Sequence, residues 1–144
     1  MRKLANDELE RLDKETFREA DKTPIVLVLD NVRSMNNVGS VFRTADAFLV
    51  EKIILCGFTP QPPHRDIQKT ALGATETVSW EHATDTLQVV KNLQQDAFVV
   101  YAVEQAEQSV FLDQFVPVPG KKIALVFGNE VEGVQQDVVN TCNG

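Results

Sequence analysis

The sequence predicts an α/β fold, a mostly parallel sheet with flanking helices. Three observations carry this. Short apolar runs alternate along the chain with segments of helical spacing, the pattern of βαβ units. Two runs, Phe98-Val99-Val100-Tyr101-Ala102-Val103 and Ile123-Ala124-Leu125-Val126-Phe127, are apolar throughout, as central strands covered on both faces are. The 144 residues, 43% of them hydrophobic, suit one domain with a sizeable core.

The elements follow in order. Leu4 to Ala20 reads as an amphipathic helix, with Leu4, Leu9, Leu12 and Phe17 apolar among mixed charges. Lys22-Thr23-Pro24 ends it. Residues 1–23 are thus expected to form a helical extension, and residues 24–144 the main domain. Strands are expected at Ile25–Leu29, Lys52–Cys56, Thr77–Trp80, Ala97–Val103 and Lys122–Phe127. Helical patterns lie between them at Val38–Phe48, near Ile67–Leu72 and at Thr84–Leu93, and a last one begins near Val134.

Composition narrows the classes. No apolar run approaches the length of a membrane span. The N-terminus lacks the apolar centre of a signal peptide. Cys56 and Cys142 form neither a disulfide framework nor a metal knuckle, so both read as thiols of a reducing cytoplasm. His64 and His82 have no acid or cysteine at ligand spacing, and no metal site is expected.

The net charge of −7 argues against a chain that binds nucleic acid over its whole surface. The charge is uneven, however. Between Asp30 and Lys69, five basic residues (Arg33, Arg43, Lys52, Arg65, Lys69) outnumber four acids. Between Thr70 and Gly120, Lys91 stands alone against seven acids. A local basic face is compatible with an acidic protein.

Two segments carry unusual content for their positions. Asn36-Asn37-Val38-Gly39-Ser40-Val41-Phe42-Arg43-Thr44-Ala45 follows the first apolar strand. It is read as a strand-to-helix turn, where α/β sheets bind ligands and helix N-termini offer free N–H groups. Asn, Gly and Ser are also ordinary loop and cap residues, so a plain turn stays open. Gly128-Asn129-Glu130-Val131-Glu132-Gly133 follows the last strand, and its two glycines permit close approach to a ligand or a plain turn. Glu104-Gln105-Ala106-Glu107 leaves the same sheet edge. Phosphate-loop, Gly-x-Gly-x-x-Gly and nucleophile-elbow patterns are absent. His64-Arg65-Asp66, after Pro60-Gln61-Pro62-Pro63, is either a solvated loop or an RNA contact.

These residues carry a family resemblance. Asn37–Ala45 resembles the first motif of the SpoU-type RNA 2′-O-ribose methyltransferases of the SPOUT superfamily, and Leu125–Val134 resembles the second. Lys69-Thr70-Ala71-Leu72-Gly73-Ala74 is similar to a further loop of that family. The likeness runs from about residue 24 to residue 144.

The resemblance implies a trefoil-knotted α/β fold, an exception to the rule against threaded loops. It implies S-adenosylmethionine as cofactor, tRNA or rRNA as substrate, and a homodimer that composes the site. Asn37, Arg43 and Glu130 take the catalytic positions. Ala102, Val103, Glu104, Gly128 and Asn129 line the cofactor, and Arg33, Arg43, Arg65 and Lys69 face RNA. The helix after Val134, with Val138 and Val139, is the expected dimer contact.

One departure stands out. The family's third motif, a Ser-Leu-Asn segment after a further short strand, is absent, and the chain stops at Asn140-Thr141-Cys142-Asn143-Gly144. The 24–144 domain is therefore expected to be either a C-terminally truncated version of a longer protein or a natural degenerate form, with an incomplete knot, weak or absent cofactor binding and no RNA methylation by these 144 residues alone.

Arg43 is read as a clamp on an RNA phosphate and a stabiliser of the developing alkoxide, since guanidinium does not deprotonate. Asn37 would position Arg43 or the ribose. Glu130 would pair with a cation of the site or orient a cofactor loop. The alternative function is a non-catalytic RNA-binding or dimerisation module built on the same fold; a binder of another nucleotide is a third option.

Overall fold

The computed structural model describes residues 1–144 and contains one five-stranded, all-parallel sheet. The strands are β1 (Thr23–Asp30), β2 (Val50–Cys56), β3 (Trp80–Ala83), β4 (Phe98–Val103) and β5 (Lys122–Phe127). Their spatial order is β3-β2-β1-β5-β4. The helices are α1 (Lys14–Glu19), α2 (Met35–Ala47), α3 (Arg65–Ala71), α4 (Thr86–Gln95) and α5 (Gln136–Thr141).

Alternation along the strands builds two cores. Leu27 and Leu29 of β1 and Ile53 and Leu55 of β2 face one side, where Val38, Phe42 and Ala45 of α2 and Ile67 and Ala71 of α3 cover them. Val26, Val28, Ile54, Val100, Ala124 and Val126 face the other, under Val89, Val90 and Leu93 of α4 and Val138 of α5. Each fully buried aliphatic side chain contributes about 1.5–3 kcal/mol relative to exposure. This two-sided burial explains why the strands read as continuous apolar runs rather than alternating ones.

The strand order places a topological switch between β1 and β5. From β1 the chain builds outward through β2 to β3, crosses by α4 to β4, and returns inward to β5. Such a switch opens a crevice at the carboxyl ends of the strands, the usual ligand position in sheets of this kind.

Several expectations are corrected. The Leu4–Ala20 helix is only a short turn at Asn6–Glu8 followed by α1. Asp13 caps α1 by accepting from the Thr16 N–H at 2.8 Å, and of the four apolar positions only Phe17 is buried. Leu4, Leu9 and Leu12 find nothing to pack on, so the cost of helix nucleation is not met there. β3 begins at Trp80 rather than Thr77, because Ala74–Glu76 forms a 3-10 turn and Thr77 is tied to Asp46 at 2.6 Å. α4 starts two residues later than expected, capped by Asp85. α5 starts at Gln136, and Val138 is buried in this chain's own core, which removes it as a dimer anchor.

The strand-to-helix turn expected within Asn36–Ala45 is also corrected. Ser34 caps α2 by accepting from the Asn37 N–H at 3.2 Å, so Asn37 through Ala45 lie inside the helix. Gly39 is not a ligand glycine. A Cβ built there would stand 2.0 Å from Thr70 Oγ1 and 2.3 Å from the Ile67 carbonyl oxygen of α3. The missing side chain lets α2 and α3 touch along their backbones. Gly39→Ala is expected to cost about 1–3 kcal/mol, as overpacking does, read from the urea midpoint.

Cys56 is buried as expected, and burial pushes its thiol up to about 12, beyond ordinary reactivity. Asn143 and Gly144 run along the outer edge of β4: the Asn143 N–H donates to the Val100 carbonyl at 2.7 Å, and the Ala102 N–H to the Gly144 carbonyl at 2.8 Å. No helix is long and apolar enough to cross a membrane.

Candidate active site at the carboxyl edge of the sheet

The crevice beside the β1/β5 switch is organised by two carboxylates, Asp30 and Glu130. Asp30 ends β1 and is fully buried. It accepts from the Thr86 hydroxyl at 2.6 Å, the Gln135 N–H at 2.9 Å and the Gln135 side-chain amide at 2.7 Å. One side chain thereby ties β1 to the start of α4 and to the loop before α5.

Glu130 sits in the loop after β5 and grips the start of α2. Its carboxylate accepts from the Arg33 N–H at 2.9 Å, the Ser34 N–H at 3.0 Å and the Asn37 side-chain amide at 2.9 Å. The two motifs of the sequence are joined at this point. The expectation that Glu130 pairs with a cation is corrected: its partners are neutral N–H groups at a helix N-terminus, which an anion favours. Partial burial pushes the carboxyl up, but the N–H donors of Arg33, Ser34, its own backbone and the Asn37 amide outweigh it, bringing the group down to about 2.

A pH dependence follows. Glu130 adds stability at pH values above the ordinary carboxylate range, and this is lost as pH falls toward 2. The stability difference between the natural chain and Glu130→Gln is expected to shrink from pH 5 to pH 3, read from urea midpoints. A constant difference would remove the assignment.

The ends of β4 and β5 and the loops after them enclose a groove of about 550 Å³, lined among others by Val103, Glu104, Phe127, Gly128, Asn129 and Glu130. Asn129 shapes its floor, donating to the Asn31 carbonyl at 2.8 Å and accepting from the N–H groups of Val131 and Glu132. Gly128 and Gly133 serve the closure of this loop. A Cβ on Gly128 would come within 2.2 Å of Val134 N, and one on Gly133 within 2.2 Å of Glu104 Oε2. Glu104 also accepts from the Val134 N–H at 2.8 Å.

Of the expected cofactor residues, Val103, Glu104, Gly128 and Asn129 line the groove. Ala102 does not; its N–H is engaged by the chain end. Asn37 joins Glu130, but Arg43 is not beside them. It lies six residues further along α2, about 9 Å along the axis and on another face, where it lines a second groove with Lys69. Arg65 is exposed at the start of α3 and pairs with Asp66 at 3.5 Å, and the Arg33 side chain is exposed near the α2 cap. Asp30, Thr86 and Gln135 were not foreseen; an acid closing an otherwise apolar strand was the available signal.

The polar groove lies at the carboxyl ends of β4 and β5 in a doubly covered parallel sheet, the edge at which α/β folds of this kind place their ligands. Residues 24–144 match the model of the SpoU rRNA Methylase family, and the chain belongs to that family. It is 32% identical over 121 residues to the 23S rRNA (guanosine-2′-O-)-methyltransferase RlmB of Ralstonia nicotianae, covering 83% of this chain and 47% of that protein. RlmB of Pasteurella multocida is 30% identical over 138 residues, covering 94% and 55%. The chain thus spans about half the length of these relatives. In fold it is similar to the AdoMet-bound rRNA methyltransferase of Sinorhizobium meliloti, with a TM-score of 0.75 and 24% identity over 89% of this chain and 49% of that one. It is also similar to the TrmH/SpoU tRNA modifying enzyme of A. aeolicus, with a TM-score of 0.74 and 22% identity over 90% and 64%.

Proposed function

We propose that the protein transfers a methyl group from S-adenosylmethionine to a ribose 2′-hydroxyl of rRNA or tRNA. The observation that carries this reading is the bond from Asn37 to Glu130, which joins the two motifs beside the groove at the sheet edge. Membership of the family and the relatives' names support it.

The groove suits the cofactor. Its volume lies in the range of small-molecule sites. Val103, Phe127 and Val131 offer apolar surface to an adenine, and Glu104 and Glu130 are anionic neighbours for a ligand carrying a sulfonium and an ammonium. When bound, S-adenosylmethionine supplies an electrophilic methyl group. The protein's part is orientation: Glu130 and Asn129 fix the loop that forms the groove wall, and the Asn37 amide braces Glu130 from behind by donating to its carboxylate. Arg43 holds an RNA phosphate and stabilises negative charge developing on the ribose oxygen. In one chain Arg43 and Glu130 line different grooves, so we propose that a second copy brings Arg43 to its neighbour's cofactor groove as a homodimer.

Isothermal titration with S-adenosylmethionine tests the reading, together with methyl transfer to an rRNA fragment scored by resistance of the modified linkage to alkali. Weak saturable binding, with a Kd of roughly millimolar, is expected of these 144 residues. A folded chain that binds RNA but no cofactor would favour a non-catalytic RNA-binding module instead.

A further inference from the structure

We infer that Asn31 is a positioning residue for the cofactor groove: it couples the turn after β2 to the loop after β5, so that the groove wall is set from across β1. The inference rests on the proposed function for the identity of the ligand and adds to it a residue outside the groove lining.

Asn31 follows β1 directly, at the switch point, and its backbone is left-handed, with φ of 54°. Few residues other than glycine hold that conformation, and asparagine is among those that do. Every polar group of the residue is used. The N–H donates to the Cys56 carbonyl at 3.3 Å, the side-chain oxygen accepts from the Phe58 N–H at 3.0 Å, and the side-chain amide donates to Asp30 at 3.4 Å. These three bonds lock the corner against the sheet. The fourth reaches the groove: the Asn31 carbonyl accepts from the Asn129 amide at 2.8 Å.

The turn after β2 is built to receive this side chain. Gly57 is also left-handed, with φ of 61°, and a Cβ there would stand 1.9 Å from the Asn31 side-chain oxygen. The stitch is reciprocal. The Val32 N–H donates to the Thr59 hydroxyl oxygen at 3.1 Å, and that hydroxyl donates to the Cys56 carbonyl at 2.7 Å. On its outer side the turn is held by β3. The Gly57 N–H donates to the Ala83 carbonyl at 2.9 Å, and His82 Nε2 donates to the Gly57 carbonyl at 2.8 Å.

Asn129 passes the position on. Its amide nitrogen is tied to Asn31 while its side-chain oxygen accepts from the N–H groups of Val131 and Glu132. The two ends of a planar amide turn together, so one orientation meets both demands. Released from Asn31, the side chain is free to rotate, and the two N–H groups at the tip of the loop lose their acceptor. Val131 lines the groove, so the loosening reaches the ligand. Glu130 still holds the loop to α2, which confines the effect to the tip.

The test is NMR on the full 144-residue chain: solvent exchange of the Val131 and Glu132 amides, and titration with S-adenosylmethionine on the same sample. Asn31→Gly permits the left-handed backbone and removes only the side chain. It is expected to speed exchange of the two amides about fivefold and to weaken S-adenosylmethionine binding by about the same factor, the worth of one ordinary hydrogen bond. Amides within β1 and β5 should stay protected. Gly57→Ala displaces the Asn31 side chain from the other direction and should give the same local signature, although Gly57 does not line the groove. In an Asn129→Ala background, Asn31→Gly should add nothing to either readout, which separates positioning through Asn129 from a general loss of stability.

Unchanged exchange at Val131 and Glu132 in both variants overturns the inference. So does a rise spread evenly over the sheet with a lower urea midpoint, or an undiminished further loss in the Asn129→Ala background. Faster exchange with unaltered cofactor affinity leaves Asn31 a loop anchor alone and overturns its role at the groove. If the natural chain binds no cofactor, the methyltransferase reading falls, and exchange of the two amides decides the Asn31 coupling by itself.

Discussion

On the proposed methyltransferase reading, Arg43→Ala in the complete protein is expected to lower methyl transfer to RNA by more than a hundredfold while leaving the fold and cofactor binding intact. Arg43 is exposed on α2, makes no hydrogen bond or ion pair within the chain, and touches neither core cluster, so truncation removes nothing that the fold depends on. What it removes is the one cation of the first motif. Loss of a group aimed at charge that develops during reaction costs about 2.7 kcal/mol or more, a factor of a hundred. Arg43→Lys restores charge without the planar fork and should recover only part of the rate. Single-turnover transfer and a thermal melt, measured on the same preparation, decide it. A near-natural rate would end the catalytic assignment, and a large fall in melting temperature would recast Arg43 as structural.

Asp30→Ala is expected to produce the largest loss of stability of any single change at the sheet edge, about 3–5 kcal/mol. The carboxylate is fully buried, and its removal leaves the Thr86 hydroxyl, the Gln135 N–H and the Gln135 amide without their acceptor. Hydrogen bonds to a charged acceptor are each worth about 1.5–3 kcal/mol, and the orphaned donors add their own desolvation cost. Asp30→Asn keeps the shape but points an amide donor at other donors, and should fall between. Equilibrium urea unfolding measures both. A loss under about 1 kcal/mol for Asp30→Ala would mean that water replaces the carboxylate and that the three-way tie is incidental.

The sheet was readable from the chain because its strands are buried on both faces. Ile25–Leu29, Lys52–Cys56 and Ile123–Phe127 announce themselves as apolar runs, and β1, β2 and β5 contain them. The helix limits were less readable, because caps decide them. Ser34 and Asp85 set the starts of α2 and α4 through single side-chain bonds. The Leu4–Ala20 stretch misled for another reason. Its apolar residues suit a helix, but most of them have no surface to bury against.

The site was legible in its residue types and not in its geometry. Asn37 and Glu130 stand 93 positions apart in sequence, and only the β1/β5 adjacency makes them neighbours. The same topology sends Arg43 to the outer flank of α2. Asp30 shows the opposite case: its place at the end of a strand is visible, but its partners Thr86 and Gln135 arrive from helix and loop termini that no local pattern links to it.

The contact at Gly39 limits the changes open to this sequence over time. A new side chain there cannot be accommodated by a second change at Thr70 alone. Thr70→Ala would clear the hydroxyl at 2.0 Å, but the Ile67 carbonyl at 2.3 Å belongs to the main chain and no substitution deletes it. Any tolerated replacement must therefore shift α3 as a body, carrying Lys69 away from Arg43. Gly73 and Gly120 differ: nothing lies within 4 Å of a side chain built there, and only their left-handed backbone, with φ of 90° and 72°, resists change. Those two positions can be explored one substitution at a time, whereas Gly39 can change only together with the helix beside it.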